Sequence, residues 1–141
     1  MCIWDFNSAC DNYSHPVAEP QHFELQYNVW YYMLSKDEDF MNAVIERYRA
    51  LRQGVLSDAY LNGYMDAVVE WLGPAVDRNF SVWGYALDKD MISPAERNPH
   101  SHTEAVAQMK RFCTERGAWM DENIDILRQY SHESKNKKFN H

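Results

Sequence analysis

Apolar side chains recur at spacings of three and four residues along most of this 141-residue chain, and this pattern constrains its fold more than any other feature. Such spacing places the apolar groups on one face of an α-helix, whereas a half-buried strand requires strict alternation. β-Branched residues, which favour strands, are few, and only two threonines occur. We therefore expect a mainly α protein, an irregular four- to five-helix bundle with a short extended N-terminal segment.

The bounds of the helices are predicted from the apolar spacing together with caps and breakers. The pattern predicts helices over 22–34, 36–53, 58–82 and 102–130, and a loop over 84–100 that contains one short helical turn. The expected apolar face of the first helix comprises Phe23, Tyr27, Trp30, Tyr31 and Leu34, and that of the second comprises Phe40, Val44, Tyr48 and Leu51. We interpret these stripes as core and not as cofactor contacts.

Polar caps and glycines mark the predicted ends and bends. Two pairs have the spacing of a capping box, in which each residue satisfies a free N–H of the other's segment: Ser35 with Glu38, and Ser101 with Glu104. Ser57 is the expected cap of the third helix. Gly73-Pro74 should bend that helix or divide it in two, because proline lacks an N–H. Gly117, in the middle of the last helix, is interpreted as room for a close neighbour.

Three segments follow from this reading. Residues 1–22 form an extended segment and loop, 23–130 a helical domain, and 131–141 a polar, disordered tail. A net charge of −7 argues against a protein that binds nucleic acid with its whole surface. No apolar run approaches the roughly 18 residues of a membrane span, so we expect no membrane partner. The three cysteines are too few and too irregular for a disulfide framework and are expected to be reduced.

The most unusual segment places a carboxylate between two large rings. Asp5 lies between Trp4 and Phe6, and a short polar stretch that begins at Asn7 follows. Mg²⁺ prefers oxygen ligands, and in kinases an Asp just before a Phe holds the metal that bridges the ATP phosphates. The alternative interpretation is the edge of an N-terminal strand followed by a turn.

Four stretches together resemble the spore coat protein H (CotH) family. Residues 4–12 (WDFNSACDN) are similar to a Trp-Asp-Phe-Asp-x-Ala-x-Gly-Asn stretch of that family. Residues 37–40 (DEDF) and 47–57 (RYRALRQGVLS) are similar to its Asp-x-x-Phe and Arg-(Trp/Tyr)-x-x-Leu-Arg-x-Gly-x-Leu-Ser stretches, and 75–83 (AVDRNFSVW) to its Ala-x-x-Arg-Asn-Phe-x-x-Trp pattern. A final helix rich in Trp and Leu, here from Trp119 to Leu127, also closes that domain.

The resemblance implies an atypical protein kinase, with a fold like that of secretory kinases, that phosphorylates serines of spore coat proteins with ATP and Mg²⁺. It assigns Asp5 and Asn7 to the metal and Trp4 to the nucleotide cofactor, and it identifies no catalytic base. Two positions depart from the family pattern: Asn7 replaces an acidic residue and Asp11 replaces a glycine. The oxygen of Asn7 can still ligate Mg²⁺, although without charge.

The same resemblance implies that this chain is the C-terminal portion of the kinase domain. In kinases the phosphate-gripping lysine and the catalytic base precede the metal-binding Asp, and only four residues precede Asp5 here. We therefore expect the chain alone to bind neither ATP nor Mg²⁺ tightly. The expected partners are the upstream kinase domain, spore coat or surface proteins, and a second copy of the chain. No signal peptide is visible, so the expected location is the cytoplasm or the spore coat.

Three other readings remain open at this stage. The alternative function is a non-catalytic coat or surface module that binds other proteins. His100 and His102 bracket a predicted helix cap and are interpreted as loop histidines in preference to metal ligands. The charged residues of the second helix are interpreted as a solvated face with local ion pairs, and alternatively as a docking patch: Glu46, Arg47, Arg49 and Arg52.

Overall fold

A computed structural model describes Cys10, Phe23 and residues 29–132 of the chain. The described part is mainly helical and contains no strand, which confirms the predicted fold class. Its α-helices are α1 (Val29–Leu34), α2 (Glu38–Arg52), α3 (Asp58–Leu72), α4 (Ala75–Trp83) and α5 (His102–Asn123). Its 3-10 helices are Gly84–Asp88, Ala95–Arg97 and Ile124–Tyr130.

The start of α2 differs from the prediction. Asp37, and not Ser35, caps the helix: its side chain accepts a hydrogen bond of 2.8 Å from the N–H of Phe40. The hydroxyl of Ser35 instead donates to the carbonyl oxygen of Tyr32 at 2.7 Å, and Ser35 is only 5% exposed. Because Ser35 is committed to the end of α1, the next side chain with a suitable oxygen provides the cap.

The other two predicted caps are present. The Ser57 hydroxyl accepts a hydrogen bond of 3.2 Å from the N–H of Tyr60 at the start of α3. The Ser101 hydroxyl accepts one of 3.1 Å from the N–H of Glu104 at the start of α5. The Glu104 carboxylate accepts from the N–H of His100, one residue earlier than in a capping box. Side-chain oxygens thus satisfy free N–H groups at both helix starts.

The third predicted helix is divided in two at Gly73. This residue has φ +46°, in the left-handed region that a residue with a Cβ adopts at a cost. Its N–H still bonds to the carbonyl oxygen of Val69 at 3.1 Å, and Pro74 then precedes α4. Since proline has no N–H to continue the ladder, the chain turns here and begins a new helix.

The core lies between α2 and the 3-10 helix that follows α5. Four hydrophobic residues of the described part are fully enclosed: Met41, Ile45, Ile124 and Leu127. The buried face of α2 is shifted by one residue from the predicted face: Phe40 is 36% exposed, whereas Met41 and Ile45 are buried. A 3-10 helix has three residues per turn, so Ile124 and Leu127 point the same way and pack against Met41 and Ile45.

The first helix packs less than its sequence predicts. Within the predicted range 22–34 the described helix begins only at Val29, and residues 24–28 lie outside the described part. Trp30 is 77% exposed and Leu34 42% exposed, so these two residues of the predicted apolar face lie outside the core. The Phe23 ring does reach the body of the protein, where its centroid lies 4.8 Å from that of Trp119.

The described chain ends beside its own second helix. The N–H of His132 donates to the carbonyl oxygen of Lys36 at 3.1 Å, and Asp37 and His132 form an isolated parallel bridge. Across the described ranges, every helix is too short or too polar to cross a bilayer.

Candidate functional site

The residues that the sequence assigns to metal and cofactor lie outside the described part of the chain. Trp4, Asp5 and Asn7 therefore stay predictions, and the site is built here from the helices that the structure does describe. Among the described residues, no three His, Cys, Asp or Glu side chains converge as a metal site would require.

A buried arginine joins α2 to α5 and to the start of α3. The Arg52 side chain is 13% exposed and forms a bidentate pair with Asp121, with Nε 3.0 Å from each carboxylate oxygen and Nη2 2.7 Å from Oδ2. Its Nη1 donates to Asp58 Oδ1 at 2.9 Å and to the carbonyl oxygen of Leu56 at 2.6 Å. One guanidinium thus ties together two helices and the turn between α2 and α3. We call Arg52, Asp121, Asp58 and Tyr48 the arginine cluster.

Tyr48 completes this cluster. Its hydroxyl donates to Asp121 Oδ1 at 2.7 Å and also approaches the carbonyl oxygen of Gly117 at 3.2 Å. Burial and the adjacent Asp121 carboxylate raise the pKa of the Tyr48 phenol, so the hydroxyl stays protonated and continues to donate. Hydrogen bonds from Arg52 and Tyr48 lower the pKa of the Asp121 carboxyl, although burial opposes them.

Gly117 makes room for the guanidinium. A Cβ at this position would lie 2.8 Å from Arg52 Nη1 and 2.9 Å from Cζ, closer than non-bonded carbon atoms approach. Gly117 and Asp121 are four residues apart on α5, so the gap and the carboxylate lie on one face of the helix. The predicted close neighbour of Gly117 is therefore a side chain of α2.

Two grooves flank the arginine cluster. One has a volume of about 300 Å³, and its apolar wall comprises Leu56, Leu61, Phe112 and Met120. Arg116 lies at the edge of this groove, with its guanidinium 5.2 Å from the Trp119 ring centroid and 5.9 Å from that of Phe23. The other groove, of about 390 Å³, lies along α2 beside Phe40, Val44 and Leu51. The residues of the predicted α2 stripe therefore line an open groove beside the core.

Two thiols approach each other beside the first groove. Cys113 lines it, and the thiol of Cys10 lies close enough to that of Cys113 to influence its titration. Both are free thiols, as the sequence predicts for them, whereas Cys2 lies outside the described residues. Burial, followed by the neighbouring Cys113, raises the pKa of Cys10 to about 11. A protonated thiol is a poor nucleophile and a poor metal ligand, which argues against thiolate chemistry here.

The two candidate histidines of the loop do not form a pair of metal ligands. His100 Nδ1 lies 2.9 Å from the carbonyl oxygen of Leu87, and its Nε2 lies 3.7 Å from a carboxylate oxygen of Asp90. The His102 ring packs instead on Phe80, with centroids 5.6 Å apart. The two side chains thus have separate partners. His100 is a loop histidine as predicted, whereas His102 is the first residue of α5, so the prediction was wrong for it.

The charged face of α2 is more than a solvated surface. Arg52 forms tertiary ion pairs within the arginine cluster, and Arg49 pairs with Asp125 just beyond α5. The prediction of local pairs was therefore wrong for these two arginines. A signal was present in the sequence, because Gly117 and Asp121 place a gap and a carboxylate on one face of a helix predicted to pack closely.

This geometry defines a helical domain in which an arginine between α2 and α5 fixes the packing. The family model described as "CotH kinase protein" matches residues 1–120, which is most of the chain, and the chain belongs to this family. No curated protein and no solved structure matches the chain. Residues 47–57, one of the stretches that resemble the family, supply Tyr48 and Arg52 to the arginine cluster and Ser57 to the cap of α3.

We expect Gly117→Ala to lower the free energy of unfolding by about 1–3 kcal/mol. The new methyl group pushes the Arg52 guanidinium aside, which distorts its hydrogen bonds to Asp121 and Asp58. The matched control is Gly63→Ala in α3, where no atom lies within 4 Å of a new Cβ. This control should raise stability by about 0.5–1 kcal/mol through helix propensity. Urea unfolding followed by circular dichroism measures both, and equal effects would contradict the proposed role of Gly117.

Proposed function

We propose that this chain is the C-terminal helical part of a CotH-like protein kinase that transfers the γ-phosphoryl group of ATP to serine hydroxyls of spore coat proteins. The match of the CotH kinase family model over residues 1–120 is the observation that carries this proposal. The similarity of residues 4–12 to the family's Trp-Asp-Phe stretch supports a metal-binding role for this end of the chain.

In this proposal the N-terminal segment binds the metal ion and the nucleotide. Asp5 and Asn7 would hold Mg²⁺, and Trp4 would contact the nucleotide. The ion would supply positive charge against the phosphates of ATP during transfer. The described residues hold no alternative group of metal ligands, so the proposal places the metal on residues 4–7. The lysine that grips the phosphates and the catalytic base come from the upstream part of the kinase domain.

The helices have a supporting role in this proposal. Phosphoryl transfer depends mainly on positioning and electrostatic stabilisation, so the residues that hold the metal need a rigid base. The arginine cluster provides rigidity, because the Arg52 guanidinium has hydrogen bonds to α5, to α3 and to the turn at Leu56. The N-terminal region meets this base at Phe23, whose ring packs against that of Trp119, and near Cys113, where the free thiol of Cys10 lies.

The test is incorporation of phosphate from labelled ATP into serine by the intact natural protein. Asp5→Asn should lower the rate by about tenfold or more, because it removes the charged metal ligand. Asn7→Asp should raise the rate or the affinity for Mg²⁺, since it adds a charged ligand. Asp77→Asn, which removes an exposed carboxylate of α4, is the matched control and should change nothing. Equal activity of wild type and Asp5→Asn would refute the proposal.

A second candidate is a non-catalytic coat or surface module that binds other proteins. The exposed aromatic residues of α3 favour it, since Tyr60 is 52% exposed, Tyr64 62% and Trp71 84%. Large exposed apolar patches often mark interaction sites. The same assay discriminates between the two candidates, because the module predicts that the wild-type intact protein incorporates no phosphate at any Mg²⁺ concentration.

A further inference from the structure

The outward face of α3 carries an apolar stripe that the fold leaves uncovered. Tyr60, Tyr64, Ala67 and Trp71 follow one another at spacings of four, three and four residues, which places them on one side of the helix. All four are exposed, and the rings of Tyr60 and Tyr64 lie nearly parallel with centroids 6.5 Å apart. The opposite side of α3 packs on α5 and supplies Leu61 to the first groove. We call these four residues the α3 stripe.

We propose that the α3 stripe is a dimer interface, in which α3 of one copy packs antiparallel against α3 of a second copy. The spacing of four, three and four residues is that of the a and d positions of a coiled coil. An antiparallel arrangement centred between Tyr64 and Ala67 sets each Tyr64 ring over the small Ala67 of the partner copy. It also sets each Trp71 against the Tyr60 of the partner copy. Large residues thus meet small ones at the centre, and rings meet rings at both ends.

The charges of α3 permit this pairing. The helix carries no Lys or Arg, and two of its three acidic residues are already paired within the chain. Asp58 bonds to Arg52, and Asp66 pairs with Lys110 of α5. The third, Glu70, lies about 90° from the centre of the stripe at 100° per residue. In the antiparallel arrangement the two Glu70 residues are about 13 Å apart along the helix axes, beyond the screening length at physiological salt.

The apolar area of the α3 stripe indicates how tightly two copies are expected to associate. The exposed fractions of the three rings correspond to about 400 Å² per copy, from roughly 150–250 Å² for each ring. A stable interface of standard size buries about 800 Å² per partner, so the stripe supports a weak, reversible dimer. We expect association to become measurable only at high protein concentration, and a monomer at the low concentrations of most assays.

Sedimentation equilibrium of the chain over about 5–500 μM tests this proposal. The mass should rise from that of the 16.7 kDa monomer towards twice this value. Ala67→Arg puts a bulky charge at the centre of the interface and should weaken association at least about tenfold, while leaving the circular dichroism spectrum unchanged because Ala67 is exposed. The control is Ala118→Arg at an exposed position of α5, which should leave association unchanged.

Three outcomes would overturn the proposal. One is a monomer at every concentration, and another is a dimer that Ala67→Arg leaves unchanged. The third is protection of the α3 stripe in the intact natural protein without dimerisation, which would show that another part of that protein covers it. The result does not depend on phosphoryl transfer, so an inactive protein that still dimerises through α3 would leave this inference standing.

Discussion

Replacement of Arg52 by methionine is expected to lower the free energy of unfolding by about 2–3 kcal/mol. Removal of one partner of a fully buried ion pair costs about 3–5 kcal/mol, and the carboxylates here are partly solvated, which reduces the loss. The Asp121 side chain is 44% exposed and that of Asp58 41% exposed. Methionine keeps much of the apolar volume beside the groove, so the effect reports the loss of the guanidinium.

The control for this prediction is Arg47→Met. Arg47 lies on the same helix but is exposed, so its replacement should change stability by less than about 0.5 kcal/mol. Chemical unfolding of the two variants and the wild type measures the difference. If Arg52→Met were as stable as Arg47→Met, the arginine cluster would not hold α2 against α5.

The same cluster predicts how stability depends on pH. The folded pKa of Asp121 is lowered, chiefly by the hydrogen bond from Arg52, so the unfolded state takes up its proton first as the pH falls. The contribution of Asp121 is therefore complete above the unfolded pKa of about 4 and is lost as the pH falls through the lower folded value. The stability difference between wild type and Arg52→Met should be constant from pH 7 to about pH 5 and shrink below about pH 4.

Replacement of Ile45 by alanine is the second change with a large expected effect, about 2–4 kcal/mol. Ile45 has 0% exposure and packs with Met41, Ile124 and Leu127 in the core. The deletion leaves a cavity in a small core that has few other residues to fill it. The cost therefore includes both the lost burial of the side chain and the lost contacts of its neighbours.

Ile126→Ala is the matched control for Ile45→Ala. Ile126 belongs to the 3-10 helix after α5 but is 44% exposed, so the same deletion should cost less than about 1 kcal/mol. Thermal and urea unfolding measure both variants. Similar losses at the two positions would mean that the core does not lie between α2 and this 3-10 helix.

The sequence predicts the helices well because their signals are local. Caps at Ser57 and Ser101 and the break at Gly73-Pro74 depend on residues a few positions apart, and the structure has all three. The cap at Ser35 was mispredicted because Ser35 and Asp37 are both able to cap the start of α2. In the structure the Ser35 hydroxyl is used at the end of α1, where it bonds to Tyr32, so Asp37 caps α2.

The core was harder to predict because it depends on partners far along the chain. On α2, Phe40 and Met41 are adjacent apolar residues, and periodicity alone does not say which of the two faces the core. The 3-10 helix from Ile124 selects Met41 and Ile45, and its change of pitch leaves no periodic signal that distinguishes it from a continued α-helix. Arg52 was missed for the same reason, since its partner Asp121 lies 69 residues away.

We propose that Asp5 holds the magnesium of a bound nucleotide in a CotH-like kinase. The decisive test is calorimetric titration with ATP and Mg²⁺ of the intact natural protein, its Asp5→Asn variant and the 141-residue chain alone. We expect saturable binding by the intact protein, at least about tenfold weaker binding by Asp5→Asn, and no saturable binding by the chain alone. Equal affinities of wild type and variant, or tight binding by the isolated chain, would contradict it.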